Sequence, residues 1–149
     1  MATTLLAHEI GSELPGRLRL AVTRTARRLR QEAAAGLSPS LTAVLASVER
    51  YGPLTPSALA DIERVQRPTA TRLLAKLEED GLVSRERDPE DGRVSYVRVT
   101  PEGRRLLKRL RSRKNAYLAK RLRALDEDEL DTLARATAIL ERLLEEGAE

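Results

Sequence analysis

The chain has 149 residues and a formal net charge of +4 at pH 7, with no cysteine, no phenylalanine, no tryptophan and a single histidine, His8. The missing cysteines exclude a disulfide scaffold and a zinc–thiolate site in this chain, and one histidine cannot form a histidine metal site by itself. No stretch reaches the roughly 18 apolar residues of a membrane span. The N-terminus has no basic region typical of a signal peptide, so we expect a cytoplasmic protein without a membrane partner.

Apolar periodicity and proline positions predict six helices in chain order. Three prolines each follow a hydroxyl residue, at Ser38, Thr55 and Thr100, and this pair is typical of a helix N-terminus. Pro68 marks a fourth start that is less well capped. The first helix is expected to begin after Ser12. The predicted helices span residues 13–35, 39–51, 56–63, 67–80, 101–124 and 128–146.

Between the fourth and fifth helices the apolar period changes from 3.6 to 2, which predicts strands over residues 82–87 and 94–99. The turn between them contains proline, aspartate and glycine, so the two strands form a hairpin, here called the wing. The fold class is therefore mainly α with a small β-hairpin wing (α+β). Residues 38–100 form a winged helix-turn-helix core. Residues 1–37 and 101–149 flank it with helices that the core does not need.

The fourth helix carries a polar stripe away from its apolar face. This stripe holds Thr69, Arg72 and Lys76, with Arg67 and Thr71 beside it. Arginine is the commonest bidentate reader of guanine in the major groove, and threonine can meet a thymine methyl group or a phosphate. The stripe is a candidate DNA-reading surface, although an ordinary solvated helix face would have the same composition.

The wing tip carries Arg93 next to Gly92. A guanidinium at the end of a stiff hairpin can enter a narrow minor groove, where the negative potential is enhanced. Asp91 is close enough in sequence to hold Arg93, and three further wing arginines, Arg85, Arg87 and Arg98, could meet the flanking DNA backbone. A solvated turn with a local Asp–Arg pair is the alternative interpretation.

Charge is unevenly distributed along the chain. Six arginines and no acid lie between residues 17 and 30, and ten basic residues with one acid lie between 101 and 125. Residues 126–149 reverse the balance, with nine acids and two arginines. Basic surface favours a polyanionic partner, but basic and acidic helices could also pair with each other.

Three motifs together resemble the winged-helix core of the MarR family of bacterial transcriptional regulators. They are P-x-x-T-R-L-x-x-x-L-E-x-x-G-L-V from Pro68 to Val83, D-G-R from Asp91 to Arg93, and V-x-V-T-x-x-G-x-x-L from Val97 to Leu106. Each motif alone is common, but all three at these spacings are highly specific. The resemblance is strongest over residues 55–110 and covers the whole chain by element order.

The resemblance implies a homodimer that binds a pseudo-palindromic operator in double-stranded DNA. It implies that Thr69, Thr71 and Arg72 lie in the major groove and Arg93 in the minor groove. It also implies phosphate contacts from Thr55 and Ser57 at the start of the third helix. The outer helices would form the dimer, and their apolar stripes need such a partner. The leucines expected at this interface are Leu14, Leu18, Leu118, Leu122, Leu133, Leu140 and Leu144.

In the family such regulators are often repressors released by a phenolic or other aromatic acid. The sequence does not identify an effector, although Tyr51 and Arg24 are conceivable lining residues. A winged helix that docks on protein without operator specificity is the alternative function. We expect no enzymatic activity, cofactor or metal, because no nucleophile elbow, P-loop or metal-ligand cluster is present.

Overall fold

The computed structural model describes the backbone of residues 2–34 and 36–146 and the side chains of residues 13–34 and 36–145. Over these residues it contains six α-helices and one two-stranded antiparallel sheet. None of the described helices is both long and apolar enough to cross a bilayer. The elements are α1 Ala2–Glu32, α2 Pro39–Tyr51, α3 Pro56–Glu63, α4 Arg67–Glu79, β1 Val83–Arg87, β2 Ser95–Val99, α5 Pro101–Leu122 and α6 Glu127–Glu146.

The first helix starts earlier than the sequence predicted. α1 begins at Ala2 and continues through Pro15, so a start after Ser12 is wrong. The apolar spacing explains the extension, since Leu6, Ile10 and Leu14 recur every four residues. Pro15 costs the helix one backbone hydrogen bond, because a proline has no N–H to donate to the carbonyl four residues earlier. The remaining predicted boundaries differ from the structure by only a few residues.

The predicted helix caps are confirmed. Ser38, Thr55 and Thr100 are extended residues whose hydroxyl oxygens accept backbone N–H groups at the starts of α2, α3 and α5. These N–H donors belong to Leu41, Ala58 and Gly103, at 3.2, 3.1 and 3.1 Å. Gln66 makes no side-chain cap at the start of α4, which agrees with the weak start signal there.

The core is aliphatic and joins α2, α3 and α4 to the sheet and to the first half of α5. No polar or charged side chain among the described residues is buried. The interior therefore contributes no site chemistry, and polar function is confined to the surface. The most deeply buried large side chains are Val44, Leu45, Val48, Leu59, Leu74, Leu77 and Val97.

The wing is tied to the helices through its second strand. β1 and β2 pair with Val83 opposite Val99 and Arg87 opposite Ser95. Leu54, in the loop before α3, forms a further antiparallel bridge with Val97 on the other side of β2. The two N···O distances of this bridge are 3.1 and 2.7 Å. The hairpin is thus held to the helical core by backbone bonds as well as by apolar packing.

Gly103 allows α5 to approach the end of α4 closely. A β-carbon at this position would lie 2.3 Å from the Leu82 carbonyl oxygen and 2.8 Å from a Val99 methyl group. Neither the backbone carbonyl nor the β2 side chain can easily move away. The helix therefore needs glycine here for space, although glycine disfavours helix by about 1 kcal/mol relative to alanine.

We expect Gly103→Ala to destabilise the protein by about 1–3 kcal/mol, because overpacking outweighs the gain in helix propensity. Thermal or urea unfolding monitored by circular dichroism measures this. Gly16→Ala in α1 is the matched control, since a β-carbon there meets nothing within 4 Å among the described residues. A Gly103→Ala protein as stable as the Gly16→Ala protein would contradict the packing argument.

Candidate nucleic-acid interface

The turn between α3 and α4 sets the position of α4. Arg64 is left-handed, with φ 53° and ψ 44°. Its N–H donates to Asp61 O at 3.2 Å, and the N–H of Val65 donates to Ala60 O at 3.0 Å. This pair of bonds is the Schellman arrangement, whose left-handed position is usually glycine. No glycine marks this turn in the sequence, so the conformation of Arg64 was not predicted.

The predicted polar stripe of α4 is accessible. Ala70, Leu74 and Leu77 are buried on the inner face of the helix. Arg67, Thr71 and Arg72 are exposed on the outside, and Thr69 is half-buried. No acidic residue occurs from position 64 to position 77. Within the described chain, the guanidinium groups of Arg67 and Arg72 make no ion pair.

Lys76 differs from the arginines at the start of the helix because its charge is already matched. Its Nζ lies 3.0 Å from a carboxylate oxygen of Asp80 and 3.5 Å from one of Glu79. The hydrogen bond to Asp80 raises the pKa of Lys76, and the charges of both acids act in the same direction. The C-terminal end of α4 is therefore acidic, and the N-terminal half carries the surplus positive charge.

The wing turn is organised by Asp88. Its carboxylate accepts the backbone N–H groups of Glu90 and Asp91 at 2.8 and 3.2 Å. The hydrogen bond from Glu90, followed by that from Asp91, lowers the pKa of Asp88. The Asp88 N–H also donates to Val94 O at 2.9 Å and closes the turn. A seven-residue connection is thereby held in one conformation.

Arg93 occupies the tip, with its side chain 92% exposed. One carboxylate oxygen of Asp91 accepts both the backbone N–H and the Nε–H of Arg93, at 3.0 and 3.2 Å. Gly92, also at the tip, is exposed. The expected Asp91–Arg93 contact is therefore present, but it agrees with a DNA-binding tip and with a solvated turn alike.

Arg85 and Arg87 have different surroundings on the first wing strand. Nε of Arg85 lies 3.2 Å from a carboxylate oxygen of Glu78 on α4, so this pair links the wing to α4. The role of Glu78 was missed, because the sequence does not reveal pairs between different elements. Arg87 is exposed and has no ion-pair partner among the described residues. Of the two, Arg87 is the better placed to meet an external anion.

Thr55 and Ser57 lie in the first turn of α3 or immediately before it, and both are partly accessible. The Thr55 oxygen accepts the Ala58 N–H, which leaves its hydroxyl proton for another acceptor. These two residues are at the opposite end of α3 from Arg64.

A cavity of about 790 Å³ lies between α1, α2 and the middle of α5. Its lining is mainly apolar, including Leu37 and Leu110, with Thr42 among the polar groups. Three cations and no acid also line it. The cations are Arg27, Arg30 and Lys114. Neither Tyr51 nor Arg24, the two conceivable effector-lining residues, lines this cavity.

The outer helices expose the apolar stripes that the sequence predicted. Leu14 and Leu18 on α1 are 48% and 38% exposed, and Leu133 and Leu144 on α6 are 44% and 78% exposed. Leu118, Leu122 and Leu140 are half-buried. No other element of the described chain packs extensively against α6. These stripes are consequently available to a partner.

Three helices followed by a β-hairpin, with an accessible basic α4 and an arginine-tipped hairpin, define a winged helix-turn-helix protein. Residues 37–95 match the model of the MarR family. The chain is 38% identical over 137 residues to an HTH-type transcriptional regulator of Mycobacterium leprae, covering 91% of this chain and 96% of that protein. It is 30% identical over 110 residues to the HTH-type transcriptional repressor MdtR of Bacillus subtilis, covering 74% and 71%. The chain belongs to the MarR family of transcriptional regulators.

Solved structures agree with this assignment. A transcriptional regulator from Pseudomonas aeruginosa superposes with a TM-score of 0.82 at 38% identity, over 89% of this chain and 94% of that one. PcaV from Streptomyces coelicolor, solved with its natural ligand, has a TM-score of 0.61 at 26% identity, over 94% and 96%. FabT from Streptococcus pneumoniae, solved with DNA, has a TM-score of 0.63 over 94% and 98%, and at 21% identity it supports the fold alone.

We expect the Asp88 carboxyl to titrate below its usual value, because two backbone N–H groups stabilise its charged form. A lowered folded-state pKa means that this stabilisation is complete above the unfolded-state pKa and is lost as pH falls through the folded-state value. Carboxyl carbon chemical shifts followed by NMR between pH 2 and pH 6 measure the midpoint.

A synthetic peptide of residues 85–98 provides the control for the Asp88 titration, since an isolated two-stranded hairpin is at best marginally stable in water. Equal midpoints in the peptide and the protein would show that the turn does not hold the carboxylate.

Proposed function

We propose that this regulator is a homodimer that binds a pseudo-palindromic operator in double-stranded DNA and represses transcription until a small ligand releases it. The observation that carries the DNA contact is the acid-free N-terminal half of α4, with exposed Arg67 and Arg72. A helix-turn-helix inserts that half of its second helix into the major groove. Thr69 and Thr71 supply hydroxyls beside the two guanidinium groups.

The wing supports the same proposal. Asp88 fixes the turn, Arg85 is joined to Glu78 of α4, and Arg93 projects from the tip. A wing that is joined to α4 by this ion pair favours simultaneous contact of the wing tip and α4 with one duplex. In this arrangement Arg93 enters the minor groove and Arg87 meets the flanking phosphates. The Asp91 carboxylate orients Arg93, and its own charge is offset by that arginine.

The distribution of charge on α1 and α6 supports a dimer. Five arginines of α1 make no ion pair within the described residues. The acids of α6 have only one cation partner there, through Arg135 to Asp131 on the same helix. Pairing of the basic and acidic helices is therefore not seen within one subunit. A two-fold partner brings α1 of one copy near α6 of the other and covers both leucine stripes. The five arginines are Arg17, Arg19, Arg24, Arg27 and Arg30.

Lys76 has a smaller role in this proposal than Arg72. Both lie on the stripe that the sequence predicted, but the charge of Lys76 is matched by Asp80 and Glu79. Contact with a phosphate would require Lys76 to leave those partners, and Arg72 has none to leave. Thr55 and Ser57 contribute neutral hydroxyls to the phosphates beside the groove.

The cavity between α1, α2 and α5 supports release by a ligand. Its apolar walls fit an aromatic ring, and Arg27, Arg30 and Lys114 fit a carboxylate or phenolate. Its volume of about 790 Å³ is ample for such a molecule. Because α2 also packs against α4, an occupant that moves α2 moves the recognition helix with it.

We expect Arg72→Ala to relax base preference by about 1–3 kcal/mol at one position in each half-site, because a bidentate base contact is lost. Arg93→Ala is expected to weaken operator binding and to lower the slope of log affinity against log salt. Fluorescence anisotropy measures both, using duplexes that the wild-type protein selects from genomic DNA. Sedimentation of the complex gives its stoichiometry.

Arg109→Ala is the matched control for these variants. It removes the same charge from an exposed site on α5, which packs against α1, α2 and β2 and not extensively against α4. Equal losses of DNA affinity in the Arg72→Ala, Arg93→Ala and Arg109→Ala proteins would show that binding depends only on net charge. A wild-type protein that sediments as a monomer and binds no duplex at low salt would overturn the proposed function and favour a protein-docking module.

We expect aromatic carboxylates such as benzoate to bind the cavity and to release the operator. Arg30→Ala should weaken that binding about tenfold or more, because a hydrogen bond to a charged group contributes about 1.5–3 kcal/mol. Calorimetric titration measures the affinity, and competition against labelled operator measures release.

Benzamide is the control ligand, because it keeps the ring and lacks the charge. The Arg30→Ala substitution should leave its weaker binding unchanged. Equal losses of benzoate and benzamide affinity would show that Arg30 shapes the cavity and does not bind the carboxylate. Binding of benzoate without release of DNA would contradict the role of benzoate as an effector.

A further inference from the structure

Arg64 combines an unfavourable backbone conformation with an unpartnered charge. Its φ of 53° lies in the left-handed region, where the β-carbon of an ordinary L-residue crowds the backbone. It is the one non-glycine residue with positive φ among residues 2–34 and 36–146. Glycine would close the same Schellman turn without that cost, and asparagine would reduce it. The backbone alone gives no reason for arginine at this position.

No polar contact of the Arg64 side chain within the described residues offsets this cost. It is exposed, and within the described residues no carboxylate lies within ion-pair distance of its guanidinium, which donates no hydrogen bond. Asp61, one helical turn earlier, contributes only its backbone carbonyl to the turn. Glu63, next to Arg64, instead accepts a hydrogen bond from Ser47 on α2. Strain of this kind is often retained where the side chain has a functional contact.

The position of Arg64 indicates what that contact is. The turn lies immediately before Arg67, at the end of α4 that faces the major groove in the proposed function. Residues that border an inserted helix end lie over the phosphates at the rim of the groove, and arginine is a preferred phosphate ligand. The acid-free stretch from 64 to 77 begins at this residue.

We propose that Arg64 is a phosphate-contacting residue of the DNA interface, held in the left-handed conformation so that its guanidinium reaches the DNA backbone beside the recognition helix. The proposal rests on the DNA-binding function above and adds a residue to it. A phosphate contact carries no sequence information, so it adds affinity equally to operator and non-operator DNA and makes binding more salt-dependent.

The test compares Arg64→Gly, Arg64→Asn and Arg64→Lys in the full-length chain. Glycine removes the charge and relieves the backbone, so we expect the melting temperature to rise by about 2–4 °C. Affinity for duplex DNA should fall about tenfold or more in 0.1 M salt. The log–log salt slope should fall by about 1.8 for the dimer, which is 0.9 for each phosphate. The Arg64→Asn substitution should lower the salt slope by the same amount, and Arg64→Lys should keep most of the wild-type slope.

Two duplexes distinguish this contact from base reading, one selected by the wild-type protein and one of random sequence. The Arg64→Gly substitution is expected to lower the affinity for both duplexes by the same factor. A loss confined to the selected duplex would overturn the phosphate assignment, and a lowered melting temperature for Arg64→Gly would overturn the strain argument.

The wild-type protein separates failure of this contact from failure of the proposed function. If the wild type binds DNA and Arg64→Gly binds with the same affinity and salt slope, the Arg64 contact alone is overturned. If the wild type binds neither duplex, the DNA-binding proposal is overturned together with this contact.

Discussion

Thr100 joins the three parts of the structure on which the proposed DNA contacts depend. Its hydroxyl donates to Gly81 O at 2.7 Å, just after α4, and accepts the Gly103 N–H at 3.1 Å at the start of α5. Its own N–H donates to Leu82 O at 3.0 Å, at the base of the wing. One side chain and one backbone group therefore fix the end of α4, the wing and α5 relative to each other. The close approach at Gly103 makes this junction possible, because no larger residue fits against the Leu82 carbonyl.

This rigid junction matters because the proposed function divides DNA recognition between two elements. The stripe on α4 and the arginine at the wing tip can meet one duplex only if their separation is fixed before binding. The Arg85–Glu78 pair and the Leu54–Val97 bridge reinforce the same geometry from two further sides. Preorganisation of this kind reduces the ordering cost of association. The surface ion pair contributes little stability by itself, so its main effect is to orient the wing.

The sequence predicted the elements well because their signals are local. A hydroxyl residue before a proline defines three helix starts, and the change of period from 3.6 to 2 locates the wing. The bounds of α1 were missed because Ser12 and Pro15 imitate a helix start, whereas the apolar spacing through Ile10 continues across them.

The site was only partly predictable, since several of its features depend on distant pairing. The exposed stripe of α4 and the Asp91–Arg93 contact followed from helical spacing and from closeness in the chain. The Leu54–Val97 bridge, the Glu78 partner of Arg85 and the left-handed turn at Arg64 did not. The first joins residues far apart in sequence, and the second joins side chains of two different elements, α4 and β1. The third places arginine where sequence rules expect glycine.

The helix α2 connects the candidate effector cavity to α4, the proposed DNA-reading helix, which gives the proposed release a physical route. One face of α2 lines the cavity through Thr42 and Ala46, and its other face buries Val44 and Val48 in the core shared with α4. Hydrogen bonds from Ser47 to Glu63 and from Arg111 to Glu49 tie α2 to α3 and α5.

A packed core transmits a displacement of α2 because it leaves no free volume to absorb it. A ligand can use this route only if it binds the DNA-free arrangement more tightly than the DNA-bound one, and DNA must then weaken ligand binding by the same factor. The cavity and the proposed DNA contacts use different charged residues. The three cations of the cavity belong to α1 and α5, outside the proposed DNA-contacting surface, so the proposed anionic effector and DNA phosphates would not compete for the same arginines. Coupling between them can pass through α2, which contacts both the cavity and α4, and through α5, whose start Thr100 joins to the end of α4.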